Sequence, residues 1–148
     1  MDSTFIVEPA AWQIIATSCK NAFPEECCGF IFGSQLSDET RIVTAMEVRN
    51  VTEADKQGYF AIHSDTYTEA ENYALQNQLT LLGIYHSHPD QIALPSISDY
   101  QFALPNFLYV IVSVIEAEIE DVKAWLMDEA YDRFNEQNLQ QLLSTNKY

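Results

Sequence analysis

Apolar and polar positions change their spacing several times along the chain, and each change marks an element. Between Pro9 and Ala22, the residues Ala11, Ile14, Ile15, Ser18, Cys19 and Ala22 recur at helical intervals, which predicts a helix with proline in its first turn, where no N–H is needed. Pro24 stops it. The run from Cys27 to Phe32 (CCGFIF), closed by Gly33 and a polar loop, has the pattern of a buried strand. Arg41 to Val51 is rich in β-branched residues and predicts another strand, followed by a polar loop around Asp55 and Lys56. Tyr59 to Ile62 predicts a short strand. A helix is expected from Ser64, a residue type that caps helices, to about Gln78, with Asp65 and Glu69 suited to the positive end of its dipole.

The second half begins with an apolar strand, Thr80 to Tyr85 (TLLGIY), that leads straight into His86. After a loop, Ser98 or Asp99 is expected to open a short helix ending before Pro105. Phe107 to Ile115 is strongly β-prone, Glu116 to Asp121 reads as an acidic turn, and Val122 to Met127 returns as a partner strand. Tyr131 to Leu143 predicts a C-terminal helix, irregularly patterned, within a tail of residues 131–148. Helices and strands alternate early and a hairpin follows, which predicts an α/β or α+β fold on a mixed sheet. No repeat or linker interrupts residues 1–148, and that length fits one domain able to bury about 68–70% of its unfolded surface.

Composition narrows the function classes. Apolar residues make up 47% and charged residues 20%, which points to a globular rather than a disordered chain. The net charge of −15 argues against a nucleic-acid partner, since Lys and Arg must displace counterions from phosphates. The longest apolar run, Phe107 to Ile115, is far short of the ~20 residues that span a bilayer, so no membrane partner is expected. The start, MDSTFIVEPAAW, lacks a basic segment and a long apolar core, and Cys19, Cys27 and Cys28 are an odd set unlike a secreted disulfide framework. A cytoplasmic location is the expectation, with Cys27 and Cys28 buried rather than metal-bound.

His86 and His88 stand two apart at the end of the predicted strand, so both imidazoles point to one side and can converge on one ion. Pro89 is expected to turn the chain, and the loop after it offers two carboxylates, Asp90 and Asp99, as a third ligand. Two histidines and one carboxylate leave a tetrahedral position open to water, the pattern of a catalytic zinc site. Hydrolysis there also needs a base to move protons and a donor that faces the developing oxyanion. His63 has no such setting and reads as an ordinary polar residue.

The segment HSHPDQIALPSISD resembles the signature of the JAMM metalloproteases of the MPN-domain class: His-x-His-Pro, six residues, Ser, two residues, Asp. His86, His88, Pro89, Ser96 and Asp99 match it throughout, a coincidence expected by chance at well under roughly one start in a million. Upstream, Glu26-Cys27-Cys28-Gly29 fits that family's Glu-x-Cys-Gly. Glu25 would place Cys27 where the pattern needs Cys28, and strand alternation lets only one of the two glutamates face the site. Tyr59–His63, FLYVIVSV and KAWLMD also look like family segments, so nearly the whole chain is covered.

The resemblance implies an α/β fold with a curved mixed β-sheet flanked by helices, and Zn2+ held by His86, His88 and Asp99. It implies Glu26 as the general base on the zinc-activated water and Ser96 as the oxyanion donor. It further implies cleavage after the C-terminal glycines of a ubiquitin-like protein, with the extended tail laid as an added strand along Lys56 to His63. The compact chain is most similar to short stand-alone prokaryotic members, some acting on sulfur carriers and others on conjugated modifiers. A non-catalytic MPN scaffold is the competing reading, disfavoured by the intact residue set. A zinc nucleobase deaminase is excluded, because its later Pro-Cys-x-x-Cys is missing. Neither oligomeric state nor the individual substrate is legible at this level.

Overall fold

The computed structural model describes residues 4–128, 130 and 133–141. In chain order its elements are β1 (Thr4–Val7), α1 (Pro9–Ala22), β2 (Cys28–Gln35), β3 (Glu39–Val48), α2 (Ser64–Gln76), β4 (Thr80–Pro89), α3 (Ile97–Phe102), β5 (Leu108–Ile115), β6 (Glu118–Met127) and β7 (Phe134–Gln141). Strands follow the order β1-β3-β2-β4-β5-β6-β7, and β1 pairs in parallel with both β3 and β7, so the sheet closes into a barrel. The expected sheet is mixed, as β4 and β5 run parallel while β2 is antiparallel to both its neighbours. It closes into a ring accompanied by few helices, however, where the expectation was a curved sheet flanked by helices.

Alternation along the central strands sends side chains into two apolar clusters on opposite faces. Ile31, Leu82, Tyr85, Leu108, Val110 and Val112 join the buried face of α1 on one side. Phe30, Phe32, Ile84 and Tyr109 join α2 on the other, where the small Ala70 and Ala74 let the helix approach. Tyr67 and Tyr73 of α2 meet Phe30 and Phe32 edge to face, with ring centroids 5.1 and 4.8 Å apart. The helix cap is His63, whose Nδ1 accepts from the Asp65 N–H at 3.1 Å, one residue earlier than expected.

The predicted C-terminal helix is corrected: positions 134–141 form β7. Its pairing with β6 (Met127↔Phe134 to Ala124↔Gln137) and with β1 satisfies edges that a helix would leave bare. Positions 131, 132 and 142–148 of that prediction lie outside the described residues. Tyr59–Ile62 is not a ladder strand either. One backbone bond, Val51 N–H to the Ala61 carbonyl at 2.9 Å, ties it down, and the rest of its anchoring comes from a side chain. The Thr80–Tyr85 strand is longer than predicted and runs through both histidines to Pro89. The reversal falls at Asp90, whose φ is +54°.

Candidate metal centre

Ile84, His86 and His88 alternate onto one face of β4, and Tyr85 and Ser87 onto the other. The two histidine side chains are 1% and 2% exposed. Pairing with β2 places Cys28 opposite His86. Two residues further along, Glu26 comes opposite His88, and that extension is held by the Ser87 N–H on the Cys27 carbonyl at 3.2 Å and by the Cys27 N–H on Ser87 Oγ at 2.9 Å. Glu26 is 5% exposed while Glu25 is exposed, so of the two glutamates just before β2 it is Glu26 that is turned inward.

Asp99 arrives from α3. Ser96 caps this helix in a reciprocal box: its Oγ accepts from the Asp99 N–H at 3.2 Å, and its own N–H donates to Asp99 Oδ2 at 2.8 Å. The carboxylate is thereby fixed against the histidines. Each imidazole Nε2 lies 3.2 Å from the other and 3.2 Å from one oxygen of Asp99. Asp90 is turned away, with Oδ1 accepting from the Glu116 N–H at 3.3 Å. The structure therefore groups Asp99, and not Asp90, with the histidines.

This donor set fits a metal ion. His88 donates from Nδ1 to the Ile92 carbonyl at 2.9 Å, which leaves its Nε2 a bare acceptor when neutral. Two imidazole nitrogens and a carboxylate facing one another present lone pairs with little but a cation to share. Donors around a tetrahedral zinc with bonds of about 2.0–2.1 Å are spaced by about 3.3–3.4 Å, close to the separations here. Burial pushes the His86 pKa down, against the pull of Asp99. Burial works against protonation of His88 too, but the bonds to Asp99 and Ile92 outweigh it and raise its pKa. Burial alone would raise Asp99, yet His86, His88 and the Ser96 N–H hold it well below the usual carboxylate range.

Glu26 behaves differently. Burial pushes its pKa up to about 8, with His88 opposing and Asp99 adding to the rise. A carboxyl so placed keeps a proton near neutrality and can give it up when a cation is adjacent, the behaviour of an acid–base group. Ser96 is half-buried. Its oxygen accepts from the Asp99 N–H and lies 3.1 Å from Ser98 Oγ, a contact in which either hydroxyl can be the donor.

A cleft of about 430 Å³ opens beside Asp99, lined on one side by Tyr59 to Ile62 and on the other by Ser98 and Phe102. Asn50, which carried no signal in the sequence, builds its wall. One amide N–H donates to the Glu26 carbonyl (3.1 Å) and the other to the Tyr59 carbonyl (3.0 Å). Its oxygen accepts from Thr52 N–H (3.1 Å) and Ala61 N–H (3.0 Å). All four of its bonding positions are used. Phe60 and Ser87 were missed as well. The cue for Ser87 was its place between the two histidines, where alternation turns it to the opposite face of β4. Cys27 and Cys28 are buried thiols, as expected, and so is Cys19.

Residues 8–128 match the family described as prokaryotic homologs of the JAB domain. A protein of Pyrococcus furiosus named desampylase is 29% identical over 104 residues, covering 70% of this chain and 68% of its own. The solution structure of a Desulfitobacterium hafniense protein superposes with a TM-score of 0.80 over 95% of this chain and 94% of its own, at 22% identity, which shows a shared fold. A second, from Salinibacter ruber, superposes at 0.70 with 27% identity over 100% and 95% of the two chains.

Proposed function

Since the chain belongs to the family of prokaryotic JAB-domain homologs, we propose that it is a zinc-dependent peptidase or isopeptidase, hydrolysing the bond after the C-terminal glycines of a ubiquitin-like protein. The observation that carries this reading is the convergence of His86, His88 and Asp99 at 3.2 Å spacings, with a buried carboxyl alongside and a cleft at its edge. The likeness to a relative named desampylase, a name that denotes removal of a conjugated group, supports a bond to a modifier as the target.

Bound by these three residues, zinc supplies a Lewis acid that brings the pKa of water toward about 7 and polarises the scissile carbonyl. Glu26 takes the proton of the attacking water on its carboxylate and hands it to the departing amine. Ser96 donates a hydrogen bond from its hydroxyl to the oxyanion as it forms. Ser96 and its N–H also keep Asp99 in place, so one residue serves both the ligand and the charge that develops.

The cleft explains a preference for an extended, narrow tail. In Tyr59–Ile62, the Tyr59 carbonyl and both backbone groups of Ala61 are engaged by Asn50 and Val51. Among the described residues, those of Phe60 and Ile62 form no such bonds and alternate to the other side. A tail laid there as an added strand pairs with Phe60 and Ile62, and small last residues suit a cleft that Phe60 and Phe102 line. The segment Lys56 to His63 thus serves as the docking edge without itself being a strand.

The test is to incubate the zinc-loaded protein with ubiquitin-like proteins, sulfur carriers among them, that carry either a peptide extension or a lysine-linked cargo, and to read the products by intact mass. Release after the terminal glycines, abolished in Glu26→Gln, is the expected result. Intact substrates throughout, or cleavage elsewhere in the chain, would remove this reading.

A further inference from the structure

The two histidines of the centre are supported in different ways. His88 anchors its second nitrogen on the Ile92 carbonyl. His86 does not: its Nδ1 is buried and finds no hydrogen-bond partner among the described residues. Metal-ligating imidazoles are ordinarily oriented through that second nitrogen, and losing such a partner costs metal affinity. The plane of His86 needs another support.

Phe60 supplies one. Its ring stacks on the His86 imidazole with centroids 4.6 Å apart and planes inclined by 27°, within the range of favourable offset stacking. The other ring against His86 is His88, tilted by 56° at 5.0 Å and itself part of the donor set, so it offers no independent hold. Phe60 is half-buried and belongs to the segment that Asn50 fastens on both sides, through the Tyr59 carbonyl and the Ala61 N–H. The stacking surface is therefore rigidly mounted.

We propose that Phe60 is a positioning residue for the metal centre: its aromatic face replaces the hydrogen bond that His86 lacks and keeps His86 Nε2 aimed at the point shared with His88 and Asp99. The assignment rests on the metal reading of that centre, and it holds whether or not a ubiquitin-like tail is the substrate. A stack fixes the plane of the ring but not its tautomer. Without a cation, His86 can carry its proton on Nε2 and donate to Asp99 Oδ1, 3.2 Å away. That pairing competes with metal binding whether or not the Phe60 ring is present; with the ring removed, rotation about the side chain competes as well.

Two variants remove the ring and keep apolar bulk, Phe60→Leu and Phe60→Met, and Phe60→Tyr keeps the ring. Zinc affinity is measured by competition with a chromogenic chelator. The visible absorption of the cobalt-substituted protein reports ligand geometry without turnover. The expected result is a loss of affinity of about tenfold or more in the Leu and Met variants, with an altered cobalt spectrum. Phe60→Tyr should stay near wild type in both.

Leu and Met variants with wild-type affinity and an unchanged spectrum would overturn the proposal, even if their KM rose, for Phe60 would then be only cleft wall. A Tyr variant as impaired as the Leu variant would overturn it too. If the wild-type protein bound neither zinc nor cobalt, the metal reading would fail and this assignment with it. Metal binding that depends on Phe60, without cleavage of any tail, would sink the proposed substrate but leave Phe60 in its role.

Discussion

The side-chain amide of Asn50 donates to the backbone carbonyl of Glu26 at 3.1 Å, fastening that residue, the proposed base, to the segment that walls the cleft. Asn50→Asp keeps an acceptor for the Thr52 and Ala61 N–H groups but loses both donors and places a negative charge against the Glu26 and Tyr59 carbonyls. The expected cost is about 1–3 kcal/mol of stability, from carbonyls left unpaired. A fall in kcat should accompany it, with a smaller loss of zinc affinity, because the Phe60 segment loses its tie at the Tyr59 carbonyl and keeps the one at the Ala61 N–H. Urea unfolding, kcat and chelator competition check the three parts. A variant of unchanged kcat would separate Asn50 from the placement of Glu26.

Glu26 gives the metal-free protein a pH dependence of defined sign. Its folded pKa is raised from 4.5 to about 8, so between those values the folded chain binds a proton that the unfolded chain has released. Stability from this group falls as pH rises through that window. Glu26→Gln cannot lose a proton, so after metal removal it should gain on the wild type steadily from about pH 4.5 to pH 8, by a few kcal/mol in order of magnitude. Parallel stability–pH curves for the two proteins would contradict the burial of an ionisable Glu26.

The choice of Asp99 over Asp90 is testable by metal affinity alone. Asp99→Asn should weaken zinc binding by more than about 100-fold, beyond the usual loss for an outer-shell partner. Asp90→Asn should leave it unchanged, because Asp90 is occupied by the Glu116 N–H. Equal effects of the two changes would reopen the third ligand.

Gly83 sets how closely β4 lies on β5. A methyl group there would sit 1.9 Å from the Leu108 carbonyl oxygen, in backbone that cannot swing aside. Gly83→Ala is expected to destabilise the fold by about 1–3 kcal/mol or more, as overpacking does. It should also weaken zinc binding, since the displaced strand carries His86 and His88. Thermal melts with and without zinc check both.

Much of this was legible in the sequence. Prolines bracket α1, so Pro9–Ala22 is the helix predicted. The apolar runs of β2, β4 and β5 are buried strands. The spacing of His86, His88, Ser96 and Asp99 marked their grouping in advance. What escaped depended on distant partners. Thr4–Val7 is too short to announce itself, and Phe134–Gln141 has a helix-compatible composition that strand pairing with β6 and β1 overrides. Asn50 and Phe60 fall in the predicted strands Arg41–Val51 and Tyr59–Ile62, with nothing in the local pattern to single them out. Their positions against Glu26 and His86 come from the tertiary fold, which no local pattern encodes.

The most direct measurement is the rate of tail cleavage by metal-stripped protein as zinc is added back. Activity should be absent without zinc, rise linearly and level off at one equivalent per chain, while Glu26→Gln binds the same single equivalent and cleaves nothing. Cleavage by the stripped protein, or full zinc-dependent activity in Glu26→Gln, would contradict a hydrolytic centre built from His86, His88, Asp99 and Glu26.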